Sequence, residues 1–90
     1  MLRLKLSRDS VDFIASRTPK HQRQIAAKIQ TLRDDPTPVD SKVLKGSSQN
    51  YMRSDIGEYR IIYRVEGDIL MVAMIGKRND DEVYRRLGKK

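Results

Sequence analysis

The residues of this chain that could act on a substrate are basic and phenolic. Arg60 stands inside Glu58-Tyr59-Arg60-Ile61-Ile62-Tyr63, Arg78 closes Gly76-Lys77-Arg78, and Tyr84 lies six residues beyond Arg78. Arg53 precedes the first of these runs. Guanidiniums present planar, paired donors that match the oxygens of a phosphate, and they stay charged at any physiological pH. A phenol can donate to or accept from a hydroxyl beside them. Neighbouring strands could bring Arg53, Arg60 and Arg78 to one side of a sheet, which would suit chemistry on a phosphodiester. The same pattern also describes arginines on the wet face of a strand and tyrosines that are core residues with a solvated hydroxyl. The residue types alone leave both readings open.

Other chemistries are cut back by count. His21 is the single histidine, placed in the first turn of a helix between Lys20 and Arg23, so cleavage by a histidine pair acting as acid and base is excluded. It is expected to be a solvated surface residue. With no cysteine there is no disulfide, thiolate nucleophile or zinc–thiolate site. Asp34-Asp35 and Asp80-Asp81-Glu82 are the acidic clusters, and each falls at a helix end, where capping and the helix dipole account for it. Asp9 and Asp12 read as solvated helix residues. No metal and no cofactor is expected. The formal net charge is +7, from 19 Lys and Arg against 12 Asp and Glu. That excess is spread along the chain and favours an acidic partner: nucleic acid, an acidic protein segment or an anionic membrane. No apolar run is long enough for a signal peptide or a membrane span, so the expectation is a soluble, cytoplasmic protein without membrane contact.

The elements that must position these groups follow from periodicity. Leu2, Leu4 and Leu6 alternate with Arg3 and Lys5, as in a half-buried strand. Ser7 or Asp9 can cap a short helix that turns Val11, Phe13 and Ile14 inward. Thr18 and Pro19 open a second helix, with Ile25, Ile29 and Leu32 on one stripe and Pro36 and Pro38 beyond its end. Residues 35–49 form the longest loop, with Val43 and Leu44 as its anchors. Tyr51–Ser54 reads as a strand and Asp55-Ile56-Gly57-Glu58 as a turn. In the next strand Tyr59, Ile61, Tyr63 and Val65 share one face, with Arg60, Ile62 and Arg64 on the other. Glu66-Gly67-Asp68 is a hairpin turn, and Ile69–Ile75 is apolar enough for a strand covered on both faces. Asn79 is placed to start a last helix, with Glu82 at capping-box spacing, Val83 and Leu87 as its stripe and Gly88 at its end. The sum is a single α+β domain over residues 1–90, ordered β-α-α-β-β-β-α around a mostly antiparallel sheet.

Three stretches then resemble the RelE superfamily of toxins from toxin–antitoxin pairs: Lys42-Val43-Leu44-Lys45-Gly46, Gly57-Glu58-Tyr59-Arg60-Ile61-Ile62-Tyr63, and Gly76-Lys77-Arg78-Asn79 through Glu82-Val83-Tyr84. The order of elements matches over the whole chain. The resemblance implies the small RelE-like fold and metal-independent cleavage of mRNA in the ribosomal A site, which inhibits translation. It assigns Arg60 and Arg78 to the reacting phosphate and Tyr84 to the 2′-hydroxyl. Arg53 takes the place of a family basic residue on the preceding strand, whereas Ser54 and Asp55 stand where further positive charge belongs. Lys42, Lys45, Lys77 and Arg85 are the flanking cations expected to contact RNA. An acidic RelB-like antitoxin, the ribosome and mRNA are the implied partners. The resemblance extends to ParE toxins, which poison DNA gyrase on the same architecture, and a non-cleaving RNA-binding module would carry the same charges. Unperturbed tyrosine titrates near 10 and arginine above 12, so much of the barrier reduction is expected to come from positioning of the RNA by the ribosome. Arg60 and Arg78 are both expected at the surface.

Overall fold

The computed structural model describes residues 1–44, 50–79 and 82–88. In chain order its elements are β1 (Arg3–Leu6), α1 (Arg8–Ala15), α2 (Pro19–Asp34), β2 (Lys42–Val43), β3 (Met52–Ile56), β4 (Tyr59–Glu66), β5 (Ile69–Lys77) and α3 (Glu82–Gly88). The five strands make one sheet in the order β1-β5-β4-β3-β2, antiparallel except for the β1–β5 pair. This is the expected α+β architecture with a two-residue strand, β2, added at the edge.

Alternation along β4 sends its side chains to two different cores. Tyr59, Ile61 and Tyr63 join Leu70, Val72 and Ile75 of β5 under Ile25, Ile29 and Leu32 of α2. Ile62 and Met74 face the other way and are covered by Val83 of α3, with Leu44, Tyr51, Tyr84 and Leu87 around them. The first core is the larger one, and α1 completes it through Phe13 and Ile14.

Which residues of β5 go to each core is set by a slip in its pairing with β4. Ile62 is opposite Met74 and Tyr63 is opposite Val72, so Ala73 is the extra residue of a β-bulge. The bulge resets the alternation, which lets Leu70, Val72 and Ile75 share one face while Met74 takes the other. Its carbonyls are met by the start of α1: the Ser7 hydroxyl donates to Ala73 O at 2.7 Å and the Ser7 N–H to Val72 O at 2.9 Å. Ser7 also caps α1, accepting from the Ser10 N–H. Buried polar groups on both sides are thereby satisfied.

Several expectations need correction. Asp55 and Ile56 are not turn residues but the end of β3, and the turn is only Gly57-Glu58, with Gly57 at φ +57°. A two-residue hairpin loop of this kind needs positive φ at its first central position, which glycine supplies without steric cost. Val11 is 45% exposed, because only Phe13 and Ile14 of α1 reach the core. Val65 is exposed too, since β4 runs past the helices that cover its middle. Leu44 anchors the long loop, but Val43 is exposed and held only by its backbone pairing with Met52. α3 is described over Glu82–Gly88, and the expected helix start at Asn79 runs into residues 80–81, which lie outside the described residues.

His21 is half-buried rather than solvated. Its Nδ1 lies 2.6 Å from the Tyr59 hydroxyl and 3.6 Å from a Glu58 carboxylate oxygen, on the α2 side of the sheet. The loop after α2 is pinned from below, as the Tyr63 hydroxyl donates to Pro36 O at 2.6 Å. Burial, against the opposing Ser41 hydrogen bond and with smaller contributions from the charges of Asp40 and Asp35, pushes the Tyr63 phenol up to about 12, so it remains a donor.

Candidate functional site

The register β3–β4–β5 places Asp55, Arg60 and Gly76 in one row across the sheet, on the face covered by α3. The next row on that face is Lys42, Arg53, Ile62 and Met74. Gly76 carries no side chain, so the charged groups of this row are those of Asp55 and Arg60. The apolar pair Ile62–Met74 seats Val83, and the following residue of α3 is Tyr84. Helix packing therefore delivers a phenol to a row of charged strand residues.

Arg60 is the centre of the arrangement. Its Nε and Nη2 donate to the two carboxylate oxygens of Asp55 at 2.8 and 3.1 Å. Its Nη1 donates to the Tyr84 hydroxyl at 2.6 Å, and Cζ sits 5.8 Å from the centre of the Tyr84 ring. Arg53 Nη1 lies 4.0 Å from Asp55. Arg78 is exposed at the end of β5, its N–H donating to Glu58 O, and its charge also acts on Asp55. The Arg60 hydrogen bond, and then the charges of Arg60, Arg53 and Arg78, hold the Asp55 carboxyl below its usual value against the opposing effect of burial. Asp55 in turn raises the Arg60 guanidinium further, with Tyr84 contributing, so this cation is permanent.

A second layer holds the row from the α2 side. Asp40 accepts from the Ser54 hydroxyl at 2.8 Å, from the Asp55 N–H at 3.2 Å and from Lys28 Nζ at 3.2 Å. Burial works to raise the Asp40 carboxyl, but those hydrogen bonds and the Lys28 charge outweigh it. Both aspartates thus bind protons less readily when folded than the roughly 3.9 of an unfolded chain. The unfolded state takes up protons first as pH falls, so this stability is present in full above about pH 5 and is lost below about pH 4. Melting followed by circular dichroism should stay level from pH 7 to 5 and drop steeply below 4. A level melting temperature down to pH 3 would contradict these pairs.

Arg53 and Arg60 thus flank Asp55, Tyr84 is hydrogen-bonded to Arg60, and Arg78 acts on Asp55 by its charge. Arg60 differs from expectation in being only 16% exposed at its side chain. Of the flanking cations, Lys42 is exposed in the same row as Arg53, and Arg85 is exposed on α3 next to Tyr84. Lys77 pairs with Tyr59, so it belongs to the opposite face from Arg60. Lys45 lies outside the described residues. Asp55 is the residue that sequence reasoning missed. The two-residue turn at Gly57-Glu58 pairs 56 with 59, and so 55 with 60, whereas the sequence reading places Asp55 in the turn itself. Among the described residues no three His, Cys, Asp or Glu converge as a metal-ligand set. No helix among them is long and apolar enough to cross a membrane.

A family model for the ParE toxin of type II toxin–antitoxin systems matches residues 5–82. No curated protein matches. Among solved structures, RelE from the archaeal RelE–RelB complex of Pyrococcus horikoshii is 24% identical, with a TM-score of 0.74 over 86% of this chain and 94% of its own. The isolated E. coli RelE toxin is 19% identical, also at 0.74, over 99% and 97%. The RelB–RelE antitoxin–toxin complex from Methanococcus jannaschii gives 20% identity and 0.67 over 90% and 95%. These likenesses establish the RelE-like fold. Fold and family together define a toxin of the RelE/ParE superfamily. Within it, the chain belongs to the ParE toxin family of type II toxin–antitoxin systems.

Proposed function

We propose that this toxin is a metal-independent endoribonuclease that cuts mRNA in the ribosomal A site. The observation that carries the reading is the Tyr84 hydroxyl held 2.6 Å from Arg60 Nη1, with Arg53 and Arg78 around the same carboxylate. When a ribose 2′-oxygen attacks the adjacent phosphorus, negative charge grows on the non-bridging oxygens, and guanidiniums fixed beforehand meet it without reorganising. Tyr84 is placed to orient the attacking hydroxyl. A phenol and guanidiniums are weak proton carriers at neutral pH, so the ribosome supplies alignment of the RNA, worth several orders of magnitude in rate. Free RNA should be cut slowly or not at all.

The matching family favours a second reading, in which the target is DNA gyrase. A shared fold cannot choose between them. Primer extension in a purified translation system separates the two: codon-phased cuts support the nuclease, while intact mRNA together with trapped, cleaved DNA in a gyrase assay supports the poison. Tyr84→Phe should slow ribosome-dependent cleavage by about 10- to 100-fold, in the range of a lost acid–base or orienting group, and leave RNA binding within a factor of about two. Full activity in that variant would remove Tyr84 from the mechanism.

Similar solved structures include complexes named for a toxin with its antitoxin. We extend that partnership to this chain, with an acidic antitoxin matched to its net charge of +7. The toxin is assigned to the cytoplasm, where ribosomes and gyrase are found.

A further inference from the structure

A guanidinium has five N–H donors. In Arg60 three are engaged: Nε and Nη2 by the Asp55 carboxylate, and Nη1 by the Tyr84 hydroxyl. One N–H on each terminal nitrogen is left without a hydrogen-bond partner among the described residues. The side chain keeps 16% of its surface, so a ligand can reach it.

A carboxylate in a site for phosphate looks misplaced, since it repels the ligand. Its geometry gives it a different use. Two parallel hydrogen bonds fix the plane of the Arg60 group, which a long flexible side chain would not hold by itself. Asp55 is itself held, because its N–H and the adjacent Ser54 hydroxyl both bind Asp40. Three cations, Arg53, Arg60 and Arg78, still outnumber the one carboxylate, so the site remains attractive to a phosphodiester.

We propose that Asp55 is a positioning residue: it clamps Arg60 so that Nη1 meets Tyr84 and the remaining donors face one RNA phosphate, and its charge lowers the affinity of the site for RNA. The proposal rests on the ribonuclease reading above. Asp55 is not offered as the base, because a carboxylate held as an anion by a bidentate guanidinium is a poor proton acceptor.

The clamp makes binding and turnover move in opposite directions when the charge is removed, which a purely structural role does not. In Asp55→Asn, affinity for a 2′-O-methyl RNA oligonucleotide, read by fluorescence anisotropy, should rise about threefold as one repulsive charge disappears. Single-turnover cleavage on mRNA-programmed ribosomes should fall at least tenfold, on the order of a lost positioning contact. Glu66→Gln makes the same charge change at the exposed end of β4, where Glu66 pairs with Arg64, and should leave cleavage unchanged. Binding and cleavage falling together in Asp55→Asn, in step with melting temperature, would overturn the proposal, as would unchanged cleavage.

If wild type leaves ribosome-bound mRNA whole, the ribonuclease reading fails on its own account. The clamp is then judged by NMR of the free protein. A slowly exchanging, shifted Arg60 Nε–H that is lost in Asp55→Asn supports it, and an identical, averaged signal in both rejects it.

Discussion

Arg60→Ala should lower ribosome-dependent cleavage by about 100- to 1,000-fold, the loss seen when one preorganised charge-stabilising donor is removed from an active site. The variant loses more than a cation over the phosphate. Asp55 keeps Arg53, 4.0 Å away, and the charge of Arg78, and the Tyr84 hydroxyl loses its donor. Stripping a partly buried carboxylate of its bidentate partner should also reduce stability by about 1–3 kcal/mol. Arg60→Lys separates the two effects. It keeps a positive charge near Asp55 but not the planar fork, so the fold should recover while cleavage stays at least tenfold down, because bidentate geometry is what lysine cannot reproduce. Denaturant titration alongside primer extension reads both. Cleavage within a factor of about three of wild type in a folded Arg60→Ala protein would show that the site has been assigned to the wrong residues.

Ile62→Ala should be the most damaging single change for stability that also reaches the site. Ile62 has no exposed surface and, with Met74 and Val83, forms the small core beneath α3. Truncating such a residue removes about 2–5 kcal/mol through lost burial and the cavity left behind. A chain of this length has on the order of 5–13 kcal/mol in total. Melting should fall by roughly 10–30 °C. The helix that carries Tyr84 rests on this cluster, so the phenol should lose its seat before the larger core under α2 gives way. Cleavage should therefore decline at temperatures where the circular dichroism of the sheet is still intact. Val11, already exposed on α1, is the contrast: its alanine variant should change stability by less than about 0.5 kcal/mol. A loss below about 1 kcal/mol in Ile62→Ala would mean that α3 is held by something else.

What the sequence by itself determined is what depends on local pattern. The alternation of Tyr59, Ile61 and Tyr63 against Arg60 and Ile62 assigned both faces of β4 correctly, because successive strand residues must point to opposite sides. The stripe Ile25, Ile29, Leu32 defined α2, and Thr18-Pro19 marked its start, since capping is decided within a single turn. The convergence of Arg53, Arg60, Arg78 and Tyr84 was legible only through motif order.

Tertiary structure decided the rest. Whether Asp55 was a turn residue or a strand residue depended on where the hairpin turned, and one residue of register there moves a side chain to the other face of the sheet. The same rule put Lys77 beside Tyr59 and away from Arg60. The bulge at Ala73, which puts Val72 and Ile75 on the same face of β5, leaves no mark in an apolar run where every residue type is alike. His21 became a partner of Tyr59 because the first turn of α2 lies over that ring. Local physics reads out which elements form; the pairing of charges across them is set only when long-range register is fixed.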